Sequence, residues 1–194
     1  MFNFEKISKE LNKDKYFYHL KSEDFSGKII YPLSTLKEKD NKVYKQSIKK
    51  YKDREDQLTT RIDLLDCQWQ DCINLSTLNP AKIFEAAFLL GLKNNEYNIG
   101  KEILRFPISC LEGKKFCLYN DGEIDDSKSY SKVTVKSYKE LEFVPSETMK
   151  YFAECKDNDE DPLIFSNVVH ILLKDELDIS EAEIIKYEPS KVYY

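Results

Sequence analysis

Residues 16–33 read Tyr-Phe-Tyr-His-Leu-Lys-Ser-Glu-Asp-Phe-Ser-Gly-Lys-Ile-Ile-Tyr-Pro-Leu. Three aromatic residues in the first three positions favour a strand, because rings pack well on a pleated, half-buried surface. His19 falls at the end of that strand. Ser26-Gly27 supplies a turn, and Lys28–Tyr31 forms a second short strand closed by Pro32, which donates no ladder hydrogen bond. This layout suits an imidazole that offers a ring nitrogen to a ligand at a strand end.

Working outward, Phe4, Ile7 and Leu11 recur at helical spacing and predict a short amphipathic helix over 3–12. Residues 34–39 suit one helical turn. Asn41 can cap a longer helix in which Tyr44, Ile48, Tyr51 and Leu58 form the buried stripe. Its opposite face is basic: between Lys42 and Arg61 stand seven Lys or Arg against three Asp or Glu. After an irregular link at 63–67, residues 69–76 suit a strand. Asn79-Pro80 opens the next helix, with Asn as N-cap and Pro at the first helical position, and the helix stops near Gly91. Beyond residue 102 the pattern turns to strands at 103–109, 115–119, 130–137, 141–144 and 183–187, with one helix opened by Pro145-Ser146. The class that follows is α+β. It is a single domain over 1–194 with a mixed or antiparallel sheet and flanking helices, helix-rich over 1–92 and strand-rich over 100–194.

The chain has 194 residues, 41% of them hydrophobic and 13% aromatic, enough for a sizeable core. Its longest apolar runs fall short of the roughly 20 residues needed to cross a bilayer. The start lacks a basic segment followed by an apolar one, so no signal peptide is expected. Five cysteines at irregular spacing then read as reduced thiols in a cytoplasmic protein. A net charge of −5 argues against a dedicated nucleic-acid binder. Only Arg54, Arg61 and Arg105 are arginines among 30 basic residues, a bias matching an AT-rich genome that makes each guanidinium notable.

Several chemistries are poorly served. Cys67-x4-Cys72 is not a zinc spacing, and the acidic run 157–161 lacks the Gly and the final Glu of a calcium loop, so no metal is expected. With five glycines and neither G-x-x-x-x-G-K nor G-x-G-x-x-G, P-loop and dinucleotide-fold functions are disfavoured. No G-x-S-x-G marks a hydrolase. A Cys–His pair stays open, although most of these cysteines lie in apolar strands where thiols act as small hydrophobes. His170, in Val-Val-His-Ile-Leu-Leu, reads first as a satisfied strand histidine.

The order of these elements carries a resemblance. A strand ending Tyr18-His19-Leu20 precedes a Gly turn and Ile-Ile-Tyr-Pro-Leu. A basic helix comes next, then Asp71-Cys72-Ile73-Asn74-Leu75-Ser76 and the Asn79-Pro80 helix. Glu140-Leu141-Glu142 later precedes Phe-Val-Pro. The layout resembles the histidine-type branch of the ADP-ribosyltransferase fold. It also resembles small bacterial proteins with a Tyr-His-Leu, Gly-Lys-x-Ile-x-Pro-Leu, Lys-Tyr-x-x-Arg-Glu and Trp-x-Asp pattern, a likeness that carries no function with it. The match covers short motifs over about 16–90 and again near 140. Lys21 stands where the family often has Thr, and Ser76 is the best fit for its second-strand residue.

The resemblance implies a nucleotide or NAD as ligand, and either ADP-ribose transfer or NAD cleavage. His19 would hold the ribose or amide. Glu142 or Glu140 would stabilise the positive charge that develops at the anomeric carbon. Tyr31 would stack on the nicotinamide. An E-x-E is also a common solvated pattern, and the alternative function is a non-catalytic module binding a small molecule or a protein through the basic helix 42–61. From the residues themselves, His19 is expected in a concave site with Tyr18 or Tyr31. Arg54 is expected to be structural or ligand-binding. Trp69 and Asp71, two apart on one strand, would share a face near the site, with Asp71 paired to Arg54 or Arg61.

Overall fold

The computed structural model describes residues 15–92, 101–120 and 129–188. The helix expected over 3–12 and the loop 121–128 lie outside them. Eleven strands are described: β1 (Tyr16–Leu20), β2 (Ile29–Ile30), β3 (Arg61–Ile62), β4 (Cys67–Gln68), β5 (Ile73–Ser76), β6 (Glu102–Pro107), β7 (Phe116–Tyr119), β8 (Tyr130–Ser131), β9 (His170–Leu173), β10 (Leu177–Asp178) and β11 (Glu183–Lys186). The α-helices are α1 (Leu33–Lys39), α2 (Asn41–Ile48), α3 (Pro80–Leu89) and α4 (Ser146–Asn158). No helix among the described residues is long and apolar enough to cross a membrane.

Seven strands form one sheet in the order β11-β6-β1-β5-β9-β7-β8, and each neighbouring pair is antiparallel. The sheet interleaves strands from both halves of the chain. Alternation along the strands gives it two apolar faces. Phe17, Ile73, Leu75, Leu104, Phe106, Ile171 and Leu173 point one way and pack with Ile30 and Leu177 of the β2–β10 pair. On the other face Tyr18 and Ile103 meet Ile83, Phe84 and Ala87 of α3 and Phe152 of α4. Leu172 and Cys117 there meet Trp69, Ile62 and Cys67 of the β3–β4 hairpin region.

Local chemistry explains where the helices begin. Asn79 Oδ1 accepts the Ala81 N–H at 3.0 Å with Pro80 next to it, as the sequence suggests. An Asn79→Ala variant should lose about 1 kcal/mol of stability, and equal urea midpoints would argue that the cap contributes nothing. The cap of α2 is Asp40 rather than Asn41, its Oδ1 accepting the N–H groups of Lys42 and Val43 at 3.2 and 3.1 Å.

Four segments depart from expectation, and in the first three side chains capture backbone groups. The basic segment 42–61 is not one helix. It tightens into a 3-10 turn at Lys49–Tyr51, and Asp53 adopts a left-handed conformation with φ 63°. The Arg54 N–H bonds to Tyr51 O at 2.9 Å, while its guanidinium Nη2 donates to Lys50 O at 2.5 Å. The carbonyl stranded by the helix end is thus satisfied by Arg54 itself. Likewise Trp69–Asp71 is a 3-10 turn, in which the Gln68 N–H donates to Asp71 Oδ2 at 2.9 Å in a reciprocal capping box. The expected strand starts only at Ile73. In 130–137 the ladder stops after Ser131, because Thr134 and Ser137 bond each other's backbone and hydroxyls. Residues 141–144 form no strand either: Leu141 makes one backbone bond, to Thr77 O at 3.0 Å.

Candidate functional site

The seam between β1 and β5 is the weak joint of the sheet. β1 pairs with β6 along its whole length, but with β5 only at Tyr18 and Ser76. Past that pair the two strands part, and the Asn74 carbonyl takes its hydrogen bond from His19 Nδ1 at 3.1 Å. A carbonyl only accepts, so Nδ1 carries the proton and Nε2 of the neutral ring keeps a free lone pair. A cavity of about 510 Å³ opens here, within the ordinary range for small-molecule sites. Because the strands part, it collects residues from both faces: His19 and Leu104 from one, His170 and Tyr119 from the other.

Its walls are aromatic. Trp69, buried, meets Tyr119 edge-on with ring centroids 5.0 Å apart and donates Nε1–H to Tyr51 Oη at 3.0 Å. Tyr119 and Phe165 flank His170 at 6.4 and 6.1 Å. The polar lining joins neutral Ser, Gln and Asn side chains to basic ones: His19, Lys21, Lys50, Arg54 and His170 line the cavity, and no Asp or Glu does so among the described residues. Lys21 is neutralised by Glu102 at 2.5 Å. Lys50 has no ion pair among the described residues. Lys50 is an exposed residue, and the protein crowded around it, then the charge of Lys101, pull it below the usual lysine range. Burial is also the main cause that pulls both histidines down to about 4, with Lys50 adding to the effect at His19.

The residues singled out by sequence scatter. His19, Tyr18, Tyr31, Arg54, Trp69 and Ser76 line the cavity. Two have spent their hydroxyls elsewhere: Tyr18 Oη donates to Glu140 Oε1 at 2.5 Å, and Ser76 Oγ donates to Leu78 O at 2.7 Å. Arg54 lies over the Tyr51 ring at 5.6 Å as well as holding Lys50 O. Asp71 does not pair with Arg54 or Arg61 and does not reach the cavity. It caps its own turn, and Arg61 bonds Asp63 and Asp66 instead. The shared-face argument fails because a 3-10 turn lacks the alternation of a strand.

Neither carboxylate of the E-x-E lines the cavity. Glu140 is tied to β1, accepting from Tyr18 Oη and from the Tyr16 N–H at 3.3 Å, and burial followed by Glu140 raises the Tyr18 phenol above its ordinary range. Glu142 is exposed, and its backbone carbonyl accepts from Lys82 Nζ at 2.6 Å. A Cys–His nucleophile gains no support. Cys72 lines the cavity, but burial and its contact with Cys67, Sγ to Sγ 3.5 Å, raise its thiol far above the ordinary value. Lys50, Tyr51 and Tyr119 were not named as site residues, and His170 was read first as a satisfied strand histidine, whereas all four line the cavity. Lys50 and Tyr51 fall in the basic segment and open the run Lys-Tyr-x-x-Arg-Glu over 50–55, but neither signal tells a cavity-lining side chain from one on open surface.

No protein-family model, curated protein or solved structure matches the chain. The resemblance to histidine-type ADP-ribosyltransferases therefore rests on the motif residues alone.

Proposed function

We propose that the cavity beside His19 binds an anionic small molecule with a planar ring, of the nucleotide class and with NAD as the leading candidate. One observation carries this reading. In a chain of net charge −5, the cavity is lined by Lys50, Arg54 and two neutral imidazoles, with no carboxylate among the described residues, next to a wall of packed aromatic rings. The Lys50 and Arg54 side chains in that lining draw anions and repel cations, while Trp69, Tyr51 and Tyr119 suit the face of a base or of nicotinamide. Transfer of ADP-ribose would need a carboxylate at the anomeric carbon. Glu140 and Glu142 stand outside the lining, so binding is proposed ahead of transfer.

The test is thermal unfolding with NAD, AMP and uncharged adenosine. At about a hundredfold excess over its dissociation constant, a bound nucleotide stabilises by about 2.7 kcal/mol, raising the midpoint by roughly 5–10 °C for a domain of this size. Adenosine should shift it less than AMP, and added salt should narrow the gap. No shift with either nucleotide at millimolar concentration would remove the reading.

A further inference from the structure

We infer that Cys67 and Cys72 form a dithiol modification site, closed to a disulfide by a small aromatic disulfide that enters the cavity. This goes beyond ligand binding and holds whether or not a nucleotide binds. The two Sγ atoms lie 3.5 Å apart, and both side chains are buried. Of the five cysteines only Cys72 lines the cavity. Cys67 touches the Cys72 sulfur without lining the opening, so one thiol meets an entering reagent and the second stands in reach to resolve it.

The segment between them is held along its length. Cys67 pairs with Ile62 in the β3–β4 ladder. The Trp69 N–H donates to Thr60 O at 2.9 Å, the Cys72 N–H donates to Trp69 O at 3.1 Å, and Gln68 with Asp71 closes the capping box. The sulfurs therefore meet in a braced turn. A disulfide needs about 2.05 Å between its sulfurs, so closure asks for a shift of roughly 1.5 Å from the contact already made. Trp69 lies inside this loop and is a wall of the cavity, so the bond fastens that wall. Burial and the Cys67 contact keep the Cys72 thiol protonated. No stabilised thiolate holds the pair reduced, and exchange is slow at neutral pH and faster as pH rises, because the thiolate is the attacking form.

The Cys72 thiol gives up its proton, and its sulfur attacks one sulfur of the incoming disulfide. An S–S bond forms as the reagent's own S–S bond breaks, and the departing thiolate takes the proton. Cys67 then attacks the Cys72 sulfur of this mixed disulfide, and the second reagent thiol leaves with the Cys67 proton. Two cysteine thiols have lost two electrons and two protons, and one small disulfide has been reduced to two thiols.

Dithiodipyridine serves as the probe, because its flat rings suit the aromatic lining. The folded full chain is treated with it, remaining thiols are alkylated, and peptides are mapped by mass without reduction. The expected product joins Cys67 to Cys72 and is lighter by two hydrogens. Cys117 and Cys155, buried and away from the lining, should stay thiols, while half-buried Cys110 carries a mixed disulfide as the control for reagent activity. Trp69 is the only tryptophan, and its emission should fall as the bond forms and return with dithiothreitol. Cys67→Ala should trap the pyridyl group on Cys72, and Cys72→Ala should leave Cys67 unmodified. Free Cys67 and Cys72 beside a modified Cys110, a bond from Cys72 to Cys117, or equal modification of Cys67 in Cys72→Ala overturns the proposal. The wild-type map decides the matter even if a variant fails to fold.

Discussion

Acidification from pH 7 to pH 5 is expected to cost the protein several kcal/mol of stability, and the two histidines are the cause. Both His19 and His170 are held neutral in the fold, with burial pulling each down to about 4. In the unfolded chain each binds a proton near pH 6.5. Between those values the unfolded state holds more protons, so stability is complete above about pH 6.5 and falls as pH drops towards 4. The loss by pH 5 is roughly 1–2 kcal/mol for each histidine, allowing for the water that reaches both rings. Urea unfolding at pH 7, 6 and 5 measures the slope, and His19→Gln with His170→Gln should flatten it. Stability that stays level from pH 7 to 5 would show that the rings take up protons without hindrance, and would remove the neutral state assigned to His19 and His170. Carboxylates enter only lower. Glu102, held down by Lys21, and Asp178, held down by Ser180, lose their contribution as pH falls through the acid range.

Phe17→Ala should be the most damaging single core substitution at the site's own strand. Phe17 is fully buried and stacked on Phe106, with centroids 5.0 Å apart and planes 5° from parallel. It stands at the cross-strand pair of β1 and β6, two residues before His19 on the same face. Removing the ring forfeits its transfer free energy and leaves a cavity, together about 3–5 kcal/mol, or a fall of roughly 6–20 °C in the unfolding midpoint. Ile184→Ala is the matched control. Ile184 is half exposed on the edge strand β11, and surface changes of that kind fall within about 0.5 kcal/mol. Similar losses for the two variants would mean that the Phe17 stack is not part of the packed core.

Elements specified by neighbours in sequence were legible. Tyr16–Leu20 is a strand because three rings and a histidine favour a pleated surface, and Pro80–Leu89 is a helix because Asn79 and Pro80 satisfy its first turn. The antiparallel option for the sheet, and the placing of His19 at a strand end, followed from the same local chemistry. Elements set by competition between side chains and backbone were not. Arg54 ends the basic helix by taking Lys50 O, Asp71 bends an expected strand by capping Gln68, and Thr134 with Ser137 cuts another short. Each of these residues also fits the continued element, and only the folded environment decides which hydrogen bond forms.

The site depended still more on tertiary structure. Periodicity reports that a face is buried and says nothing about which distant face covers it. His19 is 55 residues from the Asn74 carbonyl that sets its tautomer, and Tyr18 is 122 residues from the Glu140 that takes its proton donor. Local spacing specified a strand-end imidazole, a basic segment and aromatic neighbours. Long-range packing parted β1 from β5, brought Lys50 and His170 to one cavity and left Glu140 and Glu142 outside it. Those outcomes come from long-range packing and burial, which short-range spacing does not encode.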